Sequence, residues 1–428
     1  MQTSFTLAQL ADPDIAEADK ILRACVHCGF CTATCPTYVL LGDELDSPRG
    51  RIYLIKDMLE NDRPASAEVA LHIDRCLSCL ACMTTCPSSV HYMHLVDHAR
   101  AHIEETYQRP FLDRTVRALL AAILPYPRRF RLALVAAWLA KPFQFLLTGR
   151  LRAMLQMAPT SLPGPSPVDR PQVFPAEGPR RKRVALLTGC AQPVLKPGIN
   201  EATIRLLNRH GVEVVVAEGA GCCGSLPHHM GKSAAADDLA RADIAAWTRE
   251  IEGEGLDAVV INTSGCGTSI KDYGFMFRED AAWAGKAARI SALARDVSEF
   301  MAEIGLNSAK APEPLTIAYH SACSLQHGQQ ITAAPKRLLE SCGFTVRDVA
   351  EGHLCCGSAG TYNLLQPALA QQLRDRKVAN IESTGAGAIA SGNIGCIMQI
   401  GAGTQLPILH TVELLDWATG GPRPSVLR

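Results

Sequence analysis

The feature that most constrains this chain is a cysteine motif that occurs twice near its start. The run Cys25-x-x-Cys28-x-x-Cys31-x-x-x-Cys35-Pro36 recurs as Cys76-x-x-Cys79-x-x-Cys82-x-x-x-Cys86-Pro87. The chain holds 17 cysteines in 428 residues, an odd number and about 4% of the total, below the roughly 8–10% of disulfide scaffolds. We therefore expect the thiols to serve metals or catalysis in a reducing compartment.

This spacing is the bacterial signature for two [4Fe-4S] clusters, in which three closely spaced thiolates hold one cluster and the fourth, before proline, ligates the other. The sequence thus predicts two sets with exchanged fourth ligands. We name them the first ferredoxin set (Cys25, Cys28, Cys31, Cys86) and the second ferredoxin set (Cys76, Cys79, Cys82, Cys35). Two zinc sites, the alternative, would need paired C-x-x-C knuckles and would leave half of these thiols unused. Two adjacent clusters favour a relay of single electrons.

Further along the chain the cysteines follow a different pattern, a tandem repeat. Each cysteine or cysteine pair of the first copy returns 133, 133 or 130 residues later. We name the copies the first repeat set (Cys190, Cys222, Cys223, Cys266) and the second repeat set (Cys323, Cys355, Cys356, Cys396). Apolar runs such as RVALLTGC and LTIAYHSAC end at these cysteines, and helical stretches lie between the runs. Short strands alternating with helices predict a parallel sheet whose functional residues gather at the carboxyl ends of its strands.

Each repeat set offers four soft ligands at neighbouring strand ends, which suits a further iron-sulfur cluster or zinc. Two other interpretations stay open: buried small residues that line the top of a sheet, and a redox-active dithiol. Cys342 ends a helical stretch in one copy only, and we interpret it as a packing residue.

A glycine pattern after one strand has the spacing of a dinucleotide fingerprint, Gly219-x-Gly221-x-x-Gly224. Its last residues belong to the Cys-Cys-Gly motif, and the second copy has Leu354 at the position of Gly221. We interpret the pattern as a by-product of the repeat and expect neither FAD nor NAD on this chain. Electrons would then enter from another subunit, and no catalytic residue is assigned.

Between Arg114 and Ala158 the chain carries eight positive side chains and no negative one, interleaved with ALLAAIL, LALVAAWLA and FQFLL. These apolar blocks are too short to span a bilayer, but basic apolar helices can lie in an anionic membrane interface. Docking onto a partner and packing in the core are the alternatives. The prolines from Pro159 to Pro179 then predict an extended, semi-rigid connector.

The chain is therefore expected to be a multidomain α+β protein. Its predicted parts are a mostly helical two-cluster ferredoxin-like domain (1–112), a basic apolar helical segment (113–158), a proline-rich linker (159–183), and two tandem α/β cysteine-rich domains (184–310 and 311–428).

Composition and charge limit the functional classes. The chain has 42 basic and 42 acidic side chains, 47% hydrophobic residues and 20% charged residues. Zero net charge removes the usual case for nucleic-acid binding, and the composition is that of a globular protein. The first 20 residues have no apolar block and do not resemble a signal peptide. Residues 383–412 lack charges but are rich in glycine, so we expect turns and short strands there, not a transmembrane helix.

The strings DSPRGRIYLIKDMLE, VHYMHLVDHARAHIE, YHSACSLQHGQ and LCCGSAGTYNLLQP make a narrower comparison. A paired cluster motif followed by two Cys-Cys-Gly domains resembles the iron-sulfur subunits of flavin dehydrogenases and the cysteine-rich subunits of heterodisulfide reductases. With these four strings, the chain resembles the family of iron-sulfur subunits of bacterial glycolate oxidase (glycolate dehydrogenase) over nearly its whole length.

This resemblance implies a complex in which FAD subunits oxidise glycolate, or a similar 2-hydroxy acid such as D-lactate, and this chain accepts the electrons. The acceptor would be a quinone or another component of the respiratory chain. The basic stretch from Arg114 to Ala158 separately predicts that the complex lies peripherally on the cytoplasmic side of the inner membrane. A catalytic subunit that reduces a disulfide, as in heterodisulfide reductase, or a quinone at the Cys-Cys-Gly domains is the alternative. The heterodisulfide-reductase pattern closes each domain with C-x-x-C. Here the position of the last cysteine is taken by Ser269, three residues after Cys266, and by Gln399, three residues after Cys396.

Overall fold

A computed structural model describes residues 1–146, 149–159, 161–307 and 309–427. The N-terminal part is helical. It contains α1 (Pro13–Ala24), α2 (Pro36–Leu41), α3 (Pro48–Glu60), α4 (Ala67–Asp74), α5 (Ala81–Thr84) and α6 (Tyr92–Thr106). Short 3-10 turns at Gln9–Ala11 and Glu44–Asp46 precede α1 and α3. Helices α1, α3, α4 and α6 enclose one apolar core, and the cysteine motifs lie at the ends of these helices and in the loops between them.

The helix starts follow from local sequence. Asp12 precedes α1, and its carboxylate accepts hydrogen bonds from the amides of Asp14 and Ile15. Ser47 precedes α3, and its hydroxyl accepts from the amide of Gly50, with proline at the first helical position in both cases. Such caps satisfy amides that have no partner within the helix, so these starts were predictable from the sequence.

The basic segment forms α7 (Phe111–Ile123), α8 (Pro127–Ala140) and α9 (Gly149–Met157), with a 3-10 turn at Lys141–Leu146. Buried Arg117 ties α7 to the N-terminal part through an ion pair of 2.7 Å with Asp74. Arg131 ties α8 to the next domain by donating to the carbonyl of Pro193 at 3.2 Å. In the part of the chain that the structure describes, no helix has the length and apolarity needed to cross a bilayer.

The first cysteine-rich domain is built on a five-stranded sheet in the order β1-β3-β2-β4-β5, in which only β1 is antiparallel to its neighbour. The strands are β1 (Gln172–Phe174), β2 (Lys182–Leu186), β3 (Val212–Val216), β4 (Ala258–Ile261) and β5 (Ala294–Asp296). The helices are α10 (Gln192–Leu195), α11 (Gly198–Arg209), α12 (Ser225–His228), α13 (Ser233–Glu252), α14 (Ser264–Lys271), α15 (Tyr273–Met276), α16 (Ala284–Leu293) and α17 (Val297–Ile304).

The proline-rich stretch is not a bare connector. It includes a 3-10 turn at Pro167–Asp169 and strand β1, which pairs with β3 at the edge of the sheet. Pro171 and Pro175 flank β1 without interrupting it, and an edge strand is where a sheet tolerates nearby proline. The proline density therefore concealed a short strand.

The second cysteine-rich domain has a fully parallel sheet in the order β7-β6-β8-β9, the same order as β3-β2-β4-β5. Its strands are β6 (Thr316–His320), β7 (Thr345–Asp348), β8 (Ala388–Ser391) and β9 (Ile408–His410). Its helices are α18 (Ala334–Ser341), α19 (Tyr362–Leu365), α20 (Pro367–Glu382), α21 (Ile394–Gly401) and α22 (Thr411–Ala418), with a π-helical turn at Ser324–Gly328 and a 3-10 turn at Ser425–Leu427. The uncharged run 383–412 folds into β8, α21 and β9, so its short strands were predicted and the helix α21 was not.

The two cysteine-rich domains share one hydrophobic core. It joins the first sheet, α11 and α17 to the second sheet, α18 and α22, and it includes Cys342, which is buried there as a packing residue. Asp416 of α22 is buried at the joint and accepts from Arg205 at 2.7 Å and Arg209 at 3.1 Å, both on α11. This shared core fixes the orientation of one sheet against the other.

The glycine of each Cys-Cys-Gly motif is required by the packing of the following helix. Gly224 and Gly357 have φ of +78° and +87°, and a Cβ there would lie 2.6 Å from the carbonyl oxygen of Ala236 and 2.5 Å from that of Ala370. Ala236 and Ala370 lie in the first turns of α13 and α20. Only glycine allows both the left-handed backbone and this close approach.

We expect Gly357→Ala to destabilise the protein more than Gly343→Ala. Both positions have positive φ, but a Cβ at Gly343 meets nothing within 4 Å. The left-handed conformation costs about 1–2 kcal/mol in either variant, and overpacking against α20 adds about 1–3 kcal/mol at Gly357. Chemical denaturation of both variants measures the difference, and equal midpoints would contradict the steric argument.

Candidate metal centres

The two ferredoxin motifs fold into equivalent loops. His27 (+55°) and the matching Ser78 (+47°) have positive φ although neither is glycine. The next left-handed pair is Gly29 (+86°) and its counterpart Leu80 (+62°). Left-handed residues on both sides of the second cysteine of each run curl the backbone around the thiols, a strained arrangement that the surrounding structure must support.

The first ferredoxin set lines one cavity, together with Cys82 and Pro87. Cys35 is close enough to Cys79 and Cys82 of the second run to raise the pKa of both thiols, and it also acts on Cys31 of its own run. Burial raises the pKa of the Cys82 thiol well above its usual value, and the other three thiols of the second ferredoxin set raise it further. These neighbourhoods are compatible with the exchanged arrangement, with Cys86 on the first set and Cys35 on the second, which stays a prediction.

These donor sets fit a cationic metal or cluster. Burial raises the pKa of Cys25, Cys31 and Cys79, and neighbouring thiols raise all three further. Four such groups cannot all ionise without a compensating positive charge, which a bound metal supplies while it deprotonates its ligands. The thiols of each ferredoxin set would hold one [4Fe-4S] cluster.

A buried arginine that sequence reasoning missed lies against the second ferredoxin set. Arg51 is 1% exposed; its guanidinium lies 3.7 Å from the Cys35 sulfur and donates to Thr37 at 2.9 Å and to the carbonyl of His72 at 2.7 Å. The Tyr92 hydroxyl lies 3.8 Å from the sulfur of Cys76, which belongs to the same set. Donors to ligand sulfurs favour the more negative state of a cluster and so raise its reduction potential.

The repeat cysteines lie beyond the carboxyl ends of three adjacent strands in each sheet, as predicted. Cys190 follows β2, the pair Cys222 and Cys223 follows β3, and Cys266 lies in the first turn of α14, after β4. The Cys190 and Cys223 thiols both hydrogen-bond the Cys222 sulfur. These bonds lower the pKa of Cys222 and raise the pKa of Cys190 and of Cys223. A further hydrogen bond joins Cys223 to Cys266, so the four thiols of the first repeat set form one connected group.

The second repeat set forms the same chain of contacts. The Cys323 and Cys355 sulfurs are 3.7 Å apart, and hydrogen bonds link Cys355 to Cys356 and Cys356 to Cys396. Asn393 donates to the Cys396 sulfur at 3.4 Å.

The second repeat set has an additional donor, His320, that the cysteine pattern did not reveal. A ring nitrogen of His320 and the sulfurs of Cys356 and Cys396 all lie within 4.8 Å of one another. Its Nε2 is buried with no hydrogen-bond partner among the described residues, and burial lowers the pKa of His320 to about 3, so the ring is in its neutral, ligating form. Leu187 occupies the matching position of the first copy. The histidine in YHSAC was therefore the one sequence feature that could have indicated this additional donor.

The charged groups beside the two repeat sets differ. Asp243 lies near Cys222, accepts from the amide of Gly221 at 2.7 Å and has a pKa raised well above its usual value by burial. Lys377, 2% exposed, lies near Cys355 and Cys356 and donates to the carbonyl of Glu351 at 2.7 Å. A buried cation favours an anionic, thiolate-rich group at the second set, whereas a buried carboxyl does not favour one at the first.

The positions of the missing C-x-x-C thiols are occupied by hydrogen-bonded side chains. Buried Gln399 accepts from Asn363 at 3.1 Å and donates to the carbonyl of Ala370 at 3.1 Å. The Ser269 hydroxyl lies 3.5 Å from the carbonyl of Gly265. Both residues brace the backbone and offer no soft ligand.

The second ferredoxin set lies against the second repeat set. Cys79 belongs to one buried contact cluster with Cys355 and Cys323. The Thr84 hydroxyl and the ring of His327 are 2.7 Å apart across the same joint. Contacts with the first cysteine-rich domain include His94 with Asp272 at 2.9 Å and Glu104 with Lys232. The thiol sets thus adjoin in the order first ferredoxin, second ferredoxin, second repeat.

Comparison with known proteins agrees with this arrangement. Residues 24–90 match the family described as "4Fe-4S dicluster domain", and residues 184–271 and 317–401 match "Cysteine-rich domain". The chain is therefore an iron-sulfur protein in which a dicluster domain precedes two cysteine-rich domains.

Two curated relatives cover nearly the whole chain. It is 42% identical over 418 residues to the glycolate oxidase iron-sulfur subunit of Escherichia coli (strain K12), an alignment that covers 98% of this chain and 99% of that protein. It is 30% identical over 422 residues to the probable glycolate oxidase iron-sulfur subunit of Bacillus subtilis (strain 168), with 93% and 94% covered. The chain belongs to the family of glycolate oxidase iron-sulfur subunits, which confirms the resemblance found in its sequence.

More distant similarities extend to part of the chain or to the fold. Lactate utilization protein A of Bacillus licheniformis is 28% identical over 242 residues, which is 55% of this chain and 99% of that protein. The crystal structure of a hypothetical protein from Helicobacter pylori matches with a TM-score of 0.57 at 9% identity, over 97% of this chain and 74% of that chain. This last similarity concerns the fold alone, whose predicted class is confirmed.

We expect Cys86→Ser to damage the cluster held by Cys25, Cys28 and Cys31 and to spare the other ferredoxin cluster. Anaerobically purified parent protein should contain at least about eight iron atoms per chain, as two [4Fe-4S] clusters require. Iron and sulfide analysis with EPR on the variant measures the loss. Cys342→Ser, a change at a buried cysteine that belongs to none of the four sets, should keep the full iron content. Loss of only the other cluster's signal in Cys86→Ser would refute the exchanged ligands.

Proposed function

We propose that this chain is the electron-transfer subunit of a complex that oxidises glycolate to glyoxylate, and D-lactate or similar 2-hydroxy acids in the same way. Electrons would come from FAD-containing partner subunits and pass to a quinone or another component of the respiratory chain. The proposal is supported by the names of the two full-length relatives and by lactate utilization protein A among the partial ones.

The observation that carries the proposal is the contiguity of three thiol sets across a domain joint. When bound, iron-sulfur clusters exchange single electrons. Cys79 packs against Cys323 and Cys355, so carriers held by the second ferredoxin set and the second repeat set would be neighbours. We propose that the second repeat set, beside Lys377, holds a further cluster or zinc in preference to the first repeat set, beside Asp243.

The alternative of a heterodisulfide-reductase-like catalytic subunit has less support. Gln399 and Ser269 occupy the positions of the closing thiols of that pattern, and the hydrogen bonds of Gln399 hold the start of α20. A site short of one thiolate in each repeat is poorly matched to a cluster that cleaves disulfides.

The isolated chain should not reduce dyes with glycolate, whereas adding its flavoprotein partners should restore the reaction. The glycine fingerprint is no free anion site, since the Gly221 amide already binds Asp243. The measurement is glycolate-dependent dye reduction by the purified chain, by the partners alone, and by the mixture, with cytochrome or quinone reduction in parallel. Dye reduction by the single chain would contradict the proposal, and so would unaltered electron delivery from partners that lack this chain.

We further propose that the complex lies peripherally on the cytoplasmic face of the inner membrane through the basic segment. Exposed apolar side chains crowd this segment, including Leu132 at 70%, Trp138 at 57% and Phe145 at 70% exposure. Arg114, Arg128 and Arg152 are exposed beside them. Exposed apolar and basic side chains together match an anionic lipid interface.

Changing Arg114, Arg128 and Arg152 together to Gln should weaken recovery of the complex with membranes and leave dye-linked activity unchanged. Each positive charge near an anionic surface contributes about 1 kcal/mol, screened by salt, so moderate salt should release the parent complex as well. Co-sedimentation with anionic vesicles measures the effect. Lys286, Arg289 and Lys310, exposed on the cysteine-rich domains, changed together to Gln form the charge-matched control. Equal sedimentation of the two triple variants would overturn membrane contact through this segment.

A further inference from the structure

A large cavity lies between the basic segment and both cysteine-rich domains. Its volume is about 550 Å³, and all eight thiols of the two repeat sets line one end of it. Helices α7, α8 and α9 line the other end. Cavities of this size hold small organic ligands.

The inner face of α8 is built for this cavity. Phe130, Ala133, Leu134 and Ala137 line it, and their spacing of three, one and three residues marks one side of a helix. Helix α9 contributes Leu151, Met154 and Leu155 with the same spacing. The wall opposite the thiols is therefore apolar.

The outer face of α8 is apolar as well. Leu132, Val135, Trp138 and Leu139 are 70%, 44%, 57% and 62% exposed. A helix that is apolar on both sides lies between two apolar environments. For α8 the inner environment is the cavity, and a lipid interface suits the outer one, which places the cavity one helix away from the membrane hydrocarbon.

Polar groups lie at the thiol end. His229 lines the cavity, its Nδ1 has no hydrogen-bond partner among the described residues, and the ring lies 3.9 Å from the carboxylate of Asp97. The Ser225 and Asn363 side chains also line this end. A ligand here would have its polar head near the thiols and its apolar body along α8 and α9.

We propose that this cavity binds a lipid-soluble quinone, with its ring towards the repeat sets and its isoprenoid tail along the inner faces of α8 and α9. The proposal rests on the proposed function for its supply of electrons and takes up the quinone-reducing alternative that the sequence left open, because oxidation of a 2-hydroxy acid to a 2-oxo acid releases two electrons and two protons. The quinone takes up two electrons and two protons and leaves as the quinol, so the two half-reactions balance. The ring of His229, which lines the cavity, would donate to a quinone carbonyl.

The shape of the site favours this occupant over others. A thiol-disulfide substrate of the heterodisulfide kind carries charged groups, which the apolar wall of α8 and α9 would desolvate without partners.

The test uses the complete complex and a photoreactive azido-benzoquinone with a short alkyl chain. Illumination should label peptides of α8 and α9, and excess unlabelled quinone should prevent the labelling. Ala137→Phe places a ring in the cavity, so labelling and quinone-linked oxidation should each fall about tenfold or more. Ala136→Phe, the matched change at an exposed position of the same helix, should leave both unchanged. Dye-linked activity should stay the same in both variants.

Labelling confined to other peptides, or equal labelling of Ala137→Phe and the parent, would overturn the assignment of the cavity. If Ala137→Phe does not assemble, the position of the label on the parent complex decides. If the proposed function itself were wrong, a different result would show it. The partners would then oxidise the substrate with dyes equally well with and without this chain.

Discussion

The organisation of this protein depends on keeping four thiols close together in places that water reaches only in part. Burial and mutual repulsion both oppose ionisation of such thiols, so each set needs a rigid frame and a positive charge. The ferredoxin loops provide the frame by curling around left-handed residues such as His27 and Ser78. The cysteine-rich domains provide it at the ends of parallel strands, where Gly224 and Gly357 let the next helix approach.

Domain docking then decides which sets are neighbours. Cys79 could face solvent in an isolated ferredoxin domain, but here it is buried against Cys323 and Cys355. The buried Asp416 and the core shared by the two sheets hold the repeats in one orientation. Because Lys377 and the neutral ring of His320 adjoin only the second repeat set, two copies of one fold offer different environments to their thiols.

The basic segment connects this arrangement to the surface. Its helices are too short to cross a bilayer, yet α8 is apolar towards the cavity and apolar towards the outside. Arg117 and Arg131 are used within the protein, one on Asp74 and the other on the carbonyl of Pro193. The positive charges of the segment therefore divide between anchoring the helices and facing outwards, a division that net charge does not reveal.

Much of the site was predictable because its ligands are close in sequence or recur at a fixed interval. The runs from Cys25 to Cys35 and from Cys76 to Cys86 define their loop geometry locally, and the repeat interval of 133 residues indicates two copies of one sheet. Helix starts at Pro13 and Pro48 were visible for the same reason, since a cap needs only its own first turn. Strand β1 was not visible, because pairing with β3 across some forty residues leaves no local pattern.

By itself, the sequence determined the class of fold and the family, and it predicted the four thiol sets. The tertiary structure alone decided that Cys79 meets the second repeat set and that His320 and Lys377 flank that set. It also decided that α8 forms a wall of the cavity that the thiols of both repeat sets line. These contacts join residues far apart in the chain, and they depend on shape and burial across domain joints, which no spacing of residues along the sequence encodes.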